Sequence, residues 1–194
     1  MKHPELLSLH SVSDLRISPG TSRCAFLVHT PCEAENNYET HLYVSDFTVS
    51  YPIGMSGITS FAWVDDAALA VGRPSADSTQ FALLSLKDGS EGTVWNIPFD
   101  ARIEGWVLGQ LLISARRPIT EEKAQEDGSW TILDELPIWE DGEGYRAKIR
   151  RQLFLCSYGG QPIRISPEEM DVRIVSAHSN GLDYAGYILG NHGR

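Results

Sequence analysis

The apolar positions of this chain fall into short runs separated by glycine, proline, aspartate and serine, with no stretch that keeps a helical period over normal helix length. Three segments carry one outline: His41–Phe47 (HLYVSDF), Gln80–Leu86 (QFALLSL) and Gln152–Tyr158 (QLFLCSY). Each opens on a polar residue, runs through an apolar strand and reaches turn formers, most clearly at Lys87–Ser90 (KDGS) and Gly159–Gln161 (GGQ). A further strand signal precedes each of them, in Arg16–Val28, Phe61–Val71 and Gly105–Ala115. The first contains a Ser18-Pro19-Gly20 turn, and Trp63 and Trp106 hold equivalent places in the other two, 43 residues apart.

Several short strands recurring about every 40 to 45 residues is the pattern of β-propeller blades. The spacing from His41 to Gln80 is 39 residues, but from Gln80 to Gln152 it is 72, so the third unit must carry an insertion. The pattern therefore predicts an all-β fold, an incomplete β-propeller of about three blades plus the start of a fourth. Residues 1–13 are a lead-in. Blade 1 covers about 14–55, blade 2 about 56–98, blade 3 about 99–167 with an insert at 116–151, and the start of blade 4 about 170–194. Much of the insert is polar and charged, including Glu121–Ser129, as expected of a solvated excursion.

Charge narrows the function. Sixteen basic against 26 acidic residues give a formal net charge of −10, which repels phosphate backbones and argues against nucleic acid as a partner. The opening MKHPELLSLHSV lacks the apolar core of a signal peptide, and no later run approaches the length of a membrane span, so a cytoplasmic protein without membrane contact is expected. Cys24, Cys32 and Cys156 are odd in number and unpaired in spacing, and the six histidines are scattered, so neither a disulfide framework, a metal site nor a cofactor is expected. Trp63, Trp95 and Trp106 read as packing aromatics, and Asp65, Asp66 and Asp77 as turn formers rather than an acid–base pair.

One stretch invites a catalytic reading. Val172–Gly181 (VRIVSAHSNG) runs an apolar strand into Ala-His-Ser-Asn-Gly, a variant of the elbow that presents a serine nucleophile between a strand and a helix. Only 15 residues follow Ser179, too few for the strands that carry the acid and histidine of such enzymes. Ser179-Asn180-Gly181 instead aligns with Ser18-Pro19-Gly20, each followed by an alternating strand with alanine near its middle. The stretch is expected to be the first hairpin turn of a fourth blade. No catalytic residue is assigned.

The chain resembles the prolyl oligopeptidase family of serine peptidases, in particular its acylaminoacyl-peptidase-like branch. Ser13–Val28 is similar to the opening of that family's propeller, although the aspartate usual after Pro19 is missing and Cys24 replaces an apolar residue. Glu39–Phe47 is similar to the strand that follows. In Asp134–Ser157, Leu136, Pro137, Trp139, Gly142, Gly144 and Tyr145 fall on a family segment that leads through basic residues into a strand. The resemblance implies a non-catalytic propeller segment that gates peptide access to a hydrolase domain of the same parent enzyme, with peptides as substrates. It also makes the insert a possible substrate-facing loop, with Trp139 as an apolar wall and Glu140 and Glu143 attracting a cationic group; the plainer alternative has Trp139 packing the insert and the acids facing solvent. The other functional class open to such a chain is a stand-alone propeller-like module that binds proteins through its loops. Open blade edges would in either case favour self-association.

Overall fold

The computed structural model describes residues 9–34, 36–119, 138–140, 144–146, 148–178 and 181–188. Every regular element among them is a β-strand. The first sheet is β1 (Ser11–Ile17), β2 (Cys24–Cys32), β3 (Asn37–Ser45) and β4 (Ser50–Ser56), paired antiparallel in chain order. The second is β5 (Ser60–Asp65), β6 (Ala68–Ser75), β7 (Ser78–Ser85) and β8 (Glu91–Ile97), again in chain order. The third contains β9 (Arg102–Val107), β10 (Gln110–Pro118), β13 (Ile149–Cys156) and β14 (Pro162–Arg164); a small hairpin, β11 (Ile138–Glu140) and β12 (Gly144–Arg146), interrupts it. A two-stranded sheet follows, β15 (Met170–His178) with β16 (Gly181–Ile188).

Alternation along single strands explains how the sheets stack. In the second sheet Phe61, Trp63, Leu69, Val71 and Leu84 join Ala25, Leu27, Leu42 and Val44 of the first in one core. Their neighbours Ala62, Ala70 and Phe81, with Trp95 and Ile97, turn the opposite way and meet Ile103, Leu111, Ile113 and Phe154 of the third. A sheet buried on both faces must be apolar on consecutive residues. That is why Phe61-Ala62-Trp63 and Leu69-Ala70-Val71 read as unbroken apolar runs. Space is tight enough to demand glycine at 72, where a Cβ would lie 2.7 Å from Ser60 Oγ and 3.1 Å from the Phe81 ring.

Polar links join the sheets along the inner rim. The Trp63 indole donates to the Arg16 carbonyl at 3.0 Å. The amide of Ile103 donates to Ser60 Oγ at 3.0 Å, and that of Ala101 to Thr79 Oγ1 at 2.9 Å. The Ser18–Thr21 turn docks on the β5–β6 turn, where Gly20 N–H donates to Asp66 Oδ1 at 2.7 Å. A Cβ on Gly20 would lie 2.1 Å from that carboxylate, so any other residue there would have to displace the Asp66 side chain that holds the turn.

Several elements differ in detail from the sequence reading. β1 starts at Ser11, so residues 11–13 are paired strand rather than lead-in, because Ser11 and Val12 sit opposite His29 and Val28. β10 and β13 stay paired out to Pro118 and Ile149, with Arg116 opposite Arg151, so the chain leaves the sheet later than residue 116. The last sheet answers the question raised by Ser179. β15 and β16 form an antiparallel hairpin closed by His178 opposite Gly181. Ser179 itself lies outside the described residues, and a hairpin leaves no strand-to-helix bend for an elbow.

Candidate functional site

The first strands of the sheets converge, and their convergence builds the most functional-looking surface of the molecule. β5 packs beside β9, β9 beside β15 and β1 beside β5. Between them lies a cavity of about 690 Å³, lined by Asp14 and Arg16 of β1, Asp100, Arg102 and Glu104 at β9, Ser114 and Arg116 of β10, and Arg151 of β13. A smaller cavity of about 240 Å³ continues it past Glu104, Ser114 and Arg151 to Val172, Arg173 and Ile174 of β15. The larger volume falls in the range of small-molecule and short-peptide sites.

A bulge in β1 sets up the charges. Pairing with β2 shifts register between Ser13 and Arg16, and Asp14 sits at φ +56°, a conformation that aspartate tolerates better than most residues. Asp14 Oδ1 accepts from Arg16 Nε and a terminal nitrogen, both at 3.2 Å, and Oδ2 accepts from Arg102 at 2.9 Å. Arg16 also donates to the Glu104 carbonyl at 2.8 Å, while its guanidinium stacks 5.4 Å from the centre of the Phe61 ring. One side chain of the first sheet thus reaches over the second to the third. Ser114 donates to Glu104 Oε1 at 2.5 Å, fixing that carboxylate in the wall.

The guanidinium of Arg151 stands apart. Its backbone amide donates to Asp171 Oδ1 at 2.8 Å, but its side chain has no hydrogen-bond or ion-pair partner among the described residues. It lines both cavities. Among the described residues the two cavities display five arginines (16, 102, 116, 151 and 173) against three carboxylates, in a chain whose overall charge is strongly negative.

Other polar constellations have structural uses. Ser13 Oγ lies 2.7 Å from His29 Nε2, and His29 Nδ1 lies 2.9 Å from Thr40 Oγ1. This resembles a nucleophile and its base, but the orienting group is a neutral hydroxyl that cannot stabilise an imidazolium as a carboxylate does. It is a cross-strand polar ladder. Asp65 accepts from the Ala67 amide and Asp66 holds Gly20, so both serve turns, as the sequence suggested. Among the described residues no group of three or more His, Cys, Asp or Glu is placed to hold a metal ion. The cysteines are free, and burial pushes the Cys156 thiol pKa up. No helix of the described residues is long and apolar enough to cross a membrane.

Of the loop residues suggested by the sequence, Trp139 and Glu140 lie on β11, with Trp139 opposite Tyr145 and Glu140 opposite Gly144. Glu143 lies outside the described residues. The arginines of the cavities went unnoticed in the sequence, although a signal existed: Arg16, Arg102 and Arg173 each sit on the first strand of their sheets.

No family model matches the sequence, and no curated protein matches it. Solved structures do. The chain is similar to the propeller domain of a trilobed protease from Pyrococcus furiosus, described as having an open velcro topology (12% identity, 93% of this chain and 57% of that chain, TM-score 0.50). The fold is a β-propeller fold. The propeller sheets also superpose on an acylaminoacyl peptidase in complex with Z-Gly-Gly-Phe-chloromethyl ketone (13% identity, 96% of this chain, TM-score 0.62). They match the uncomplexed Pyrococcus horikoshii acylaminoacyl peptidase comparably (14% identity, 95% of this chain, TM-score 0.61). This chain spans 33% of the length of either peptidase. In a propeller the first strand of each blade lines the central axis; Asp14, Arg16, Arg102, Glu104 and Arg173 stand on first strands, while Arg116 and Arg151 reach the cavities from the second and third strands of their sheet.

Proposed function

We propose that this chain is a non-catalytic propeller segment of an acylaminoacyl-peptidase-like serine peptidase, gating peptide access to a hydrolase domain of the parent protein. The likeness of nearly the whole chain to a third of an acylaminoacyl peptidase carries this reading. The axial cavity supports it, because a polar opening between converging strands suits the passage of a short, extended chain and excludes a folded one. The segment's part is steric and electrostatic. Bond cleavage belongs to the hydrolase domain. The β11–β12 hairpin stands as a secondary contact surface, with Trp139 and Glu140 meeting the substrate.

The test compares the parent protein with a version lacking residues 11–188. Gating predicts that the intact protein hydrolyses short peptides but not folded proteins, and that the deletion relaxes this limit on substrate size. A parent with no hydrolase activity, or with the same size dependence after deletion, would overturn the proposal. Replacing Glu140 and Glu143 with glutamine tests the loop separately; equal kcat/KM for cationic and neutral peptides before and after removes it.

A further inference from the structure

We infer that the axial cavity is a carboxylate-binding site centred on Arg151, selecting peptides that present a free carboxylate. The inference rests on the peptide-gating reading for its biological use, while the binding itself is a property of this chain. Its starting point is the uncommitted guanidinium. Arginine offers five N–H donors in a planar fork that matches the two oxygens of a carboxylate. Arg16 and Arg102 spend theirs on Asp14 and on main-chain carbonyls, whereas the fork of Arg151 meets no acceptor among the described residues.

Position makes that fork usable. Arg151 lines both the larger and the smaller cavity, so a ligand entering from either reaches it. Arg173 on β15 flanks the smaller cavity, and is likewise without a partner among the described residues. A concave, cation-rich lining within an acidic protein concentrates the field on small anions that can enter, while the acidic exterior turns away polyanions.

Glu104 decides between kinds of anion. It lines both cavities beside Arg151, with one oxygen engaged by the Ser114 hydroxyl. Inorganic phosphate, which carries up to two negative charges at neutral pH, meets more repulsion from it than a single carboxylate does. A peptide carboxylate brings an amide N–H close by, which Glu104 can accept while Arg151 holds the carboxylate. Acceptor next to donor fork thus favours a carboxylate carried on a peptide group.

Calorimetric titration of this chain tests the inference with four probes: acetyl-Ala-Ala-Ala with a free carboxyl end, its carboxamide, acetyl-Ala-Glu-Ala-amide and inorganic phosphate. The free acid should bind at least tenfold more tightly than the carboxamide, and phosphate weakest of all. The glutamyl peptide distinguishes recognition of a chain end from recognition of a side chain. Arg151→Gln should remove the preference for the acid, and Glu104→Gln should bring phosphate and the free acid closer together. Should Arg151→Gln fail to melt cooperatively, Arg173→Gln supplies a milder variant, expected to weaken the free acid severalfold; Arg164→Gln, which removes an ion pair with Glu168 outside both cavities, should change nothing. Equal affinity for acid and carboxamide, or an Arg151→Gln chain that folds and keeps the preference, overturns the inference. The size dependence of the parent enzyme would stand regardless of that outcome, so the two readings fail separately.

Discussion

Replacing Thr79 with valine probes how the second sheet is tied to the third. Thr79 is fully buried on β7, and its hydroxyl oxygen accepts from the buried Ala101 amide at 2.9 Å while donating to the Phe99 carbonyl at 3.2 Å. Valine keeps the shape, so no cavity opens and the change is polar alone. Leaving the Ala101 amide without an acceptor costs about 1–3 kcal/mol, and losing the second bond adds about 0.5–1.5 kcal/mol. The sum is roughly 2–4 kcal/mol. The five tryptophans report unfolding in urea, with Trp95 packed in the same core. With a slope of about 1–3 kcal/mol per molar urea, the midpoint should fall by roughly 1–2 M at unchanged slope. A loss under about 0.5 kcal/mol would mean that Ala101 finds another acceptor and that the rim bond is not what holds the sheets in register.

Gly20→Ala should destabilise the chain by about 1–3 kcal/mol through collision with Asp66, and combining it with Asp66→Ala should recover part of the loss; additive urea midpoints would refute the docking. Asp88 accepts from the Ser90 amide and hydroxyl, and its hydrogen bonds to Ser85 and Ser90 lower its pKa from 3.8 to about 2. A depressed folded pKa gives stability that is present above 3.8 and lost as pH falls towards 2, so Asp88→Asn should flatten the urea midpoint across that window and leave no change if the turn is indifferent to charge. Ellman's reagent should modify Cys32 first in the native protein and reach the buried Cys24 and Cys156 only on unfolding, and three equally fast thiols would contradict the packing. The face of the first sheet turned away from the second pairs Val12 with Val28 and Phe26 with Tyr43, and leaves Val12 61% and Ile17 57% exposed. Light scattering should therefore detect self-association that Val12→Lys with Ile17→Lys suppresses, whereas a monomer at all concentrations would refute it.

Much of the fold was legible because the central strands are apolar on both faces. Phe61-Ala62-Trp63 and Phe81–Leu84 announce themselves in any hydropathy pattern, and the turns at Ser18–Gly20, Lys87–Ser90 and Gly159–Gly160 mark where they end. The outer strands were harder to see. β4 (SYPIGMS) and β8 (EGTVWNI) bury one side only, so their pattern is diluted by solvent-facing residues. The β1 bulge is invisible in sequence, since Asp14 is an unremarkable strand residue until its φ is known. The candidate site escaped for a different reason. Its arginines come singly from strands spread between Arg16 and Arg173, so no local motif contains two of them, whereas the acidic insert drew attention by being contiguous.

The second sheet, covered on one side by the first and on the other by the third, has consequences for how the molecule opens. Its middle strands should be the slowest to exchange amide protons, and the two-stranded sheet β15–β16, most of whose described residues are exposed or half-buried, among the fastest. Thermal opening would then leave the Phe61–Phe81 strands as the last part to surrender their protection.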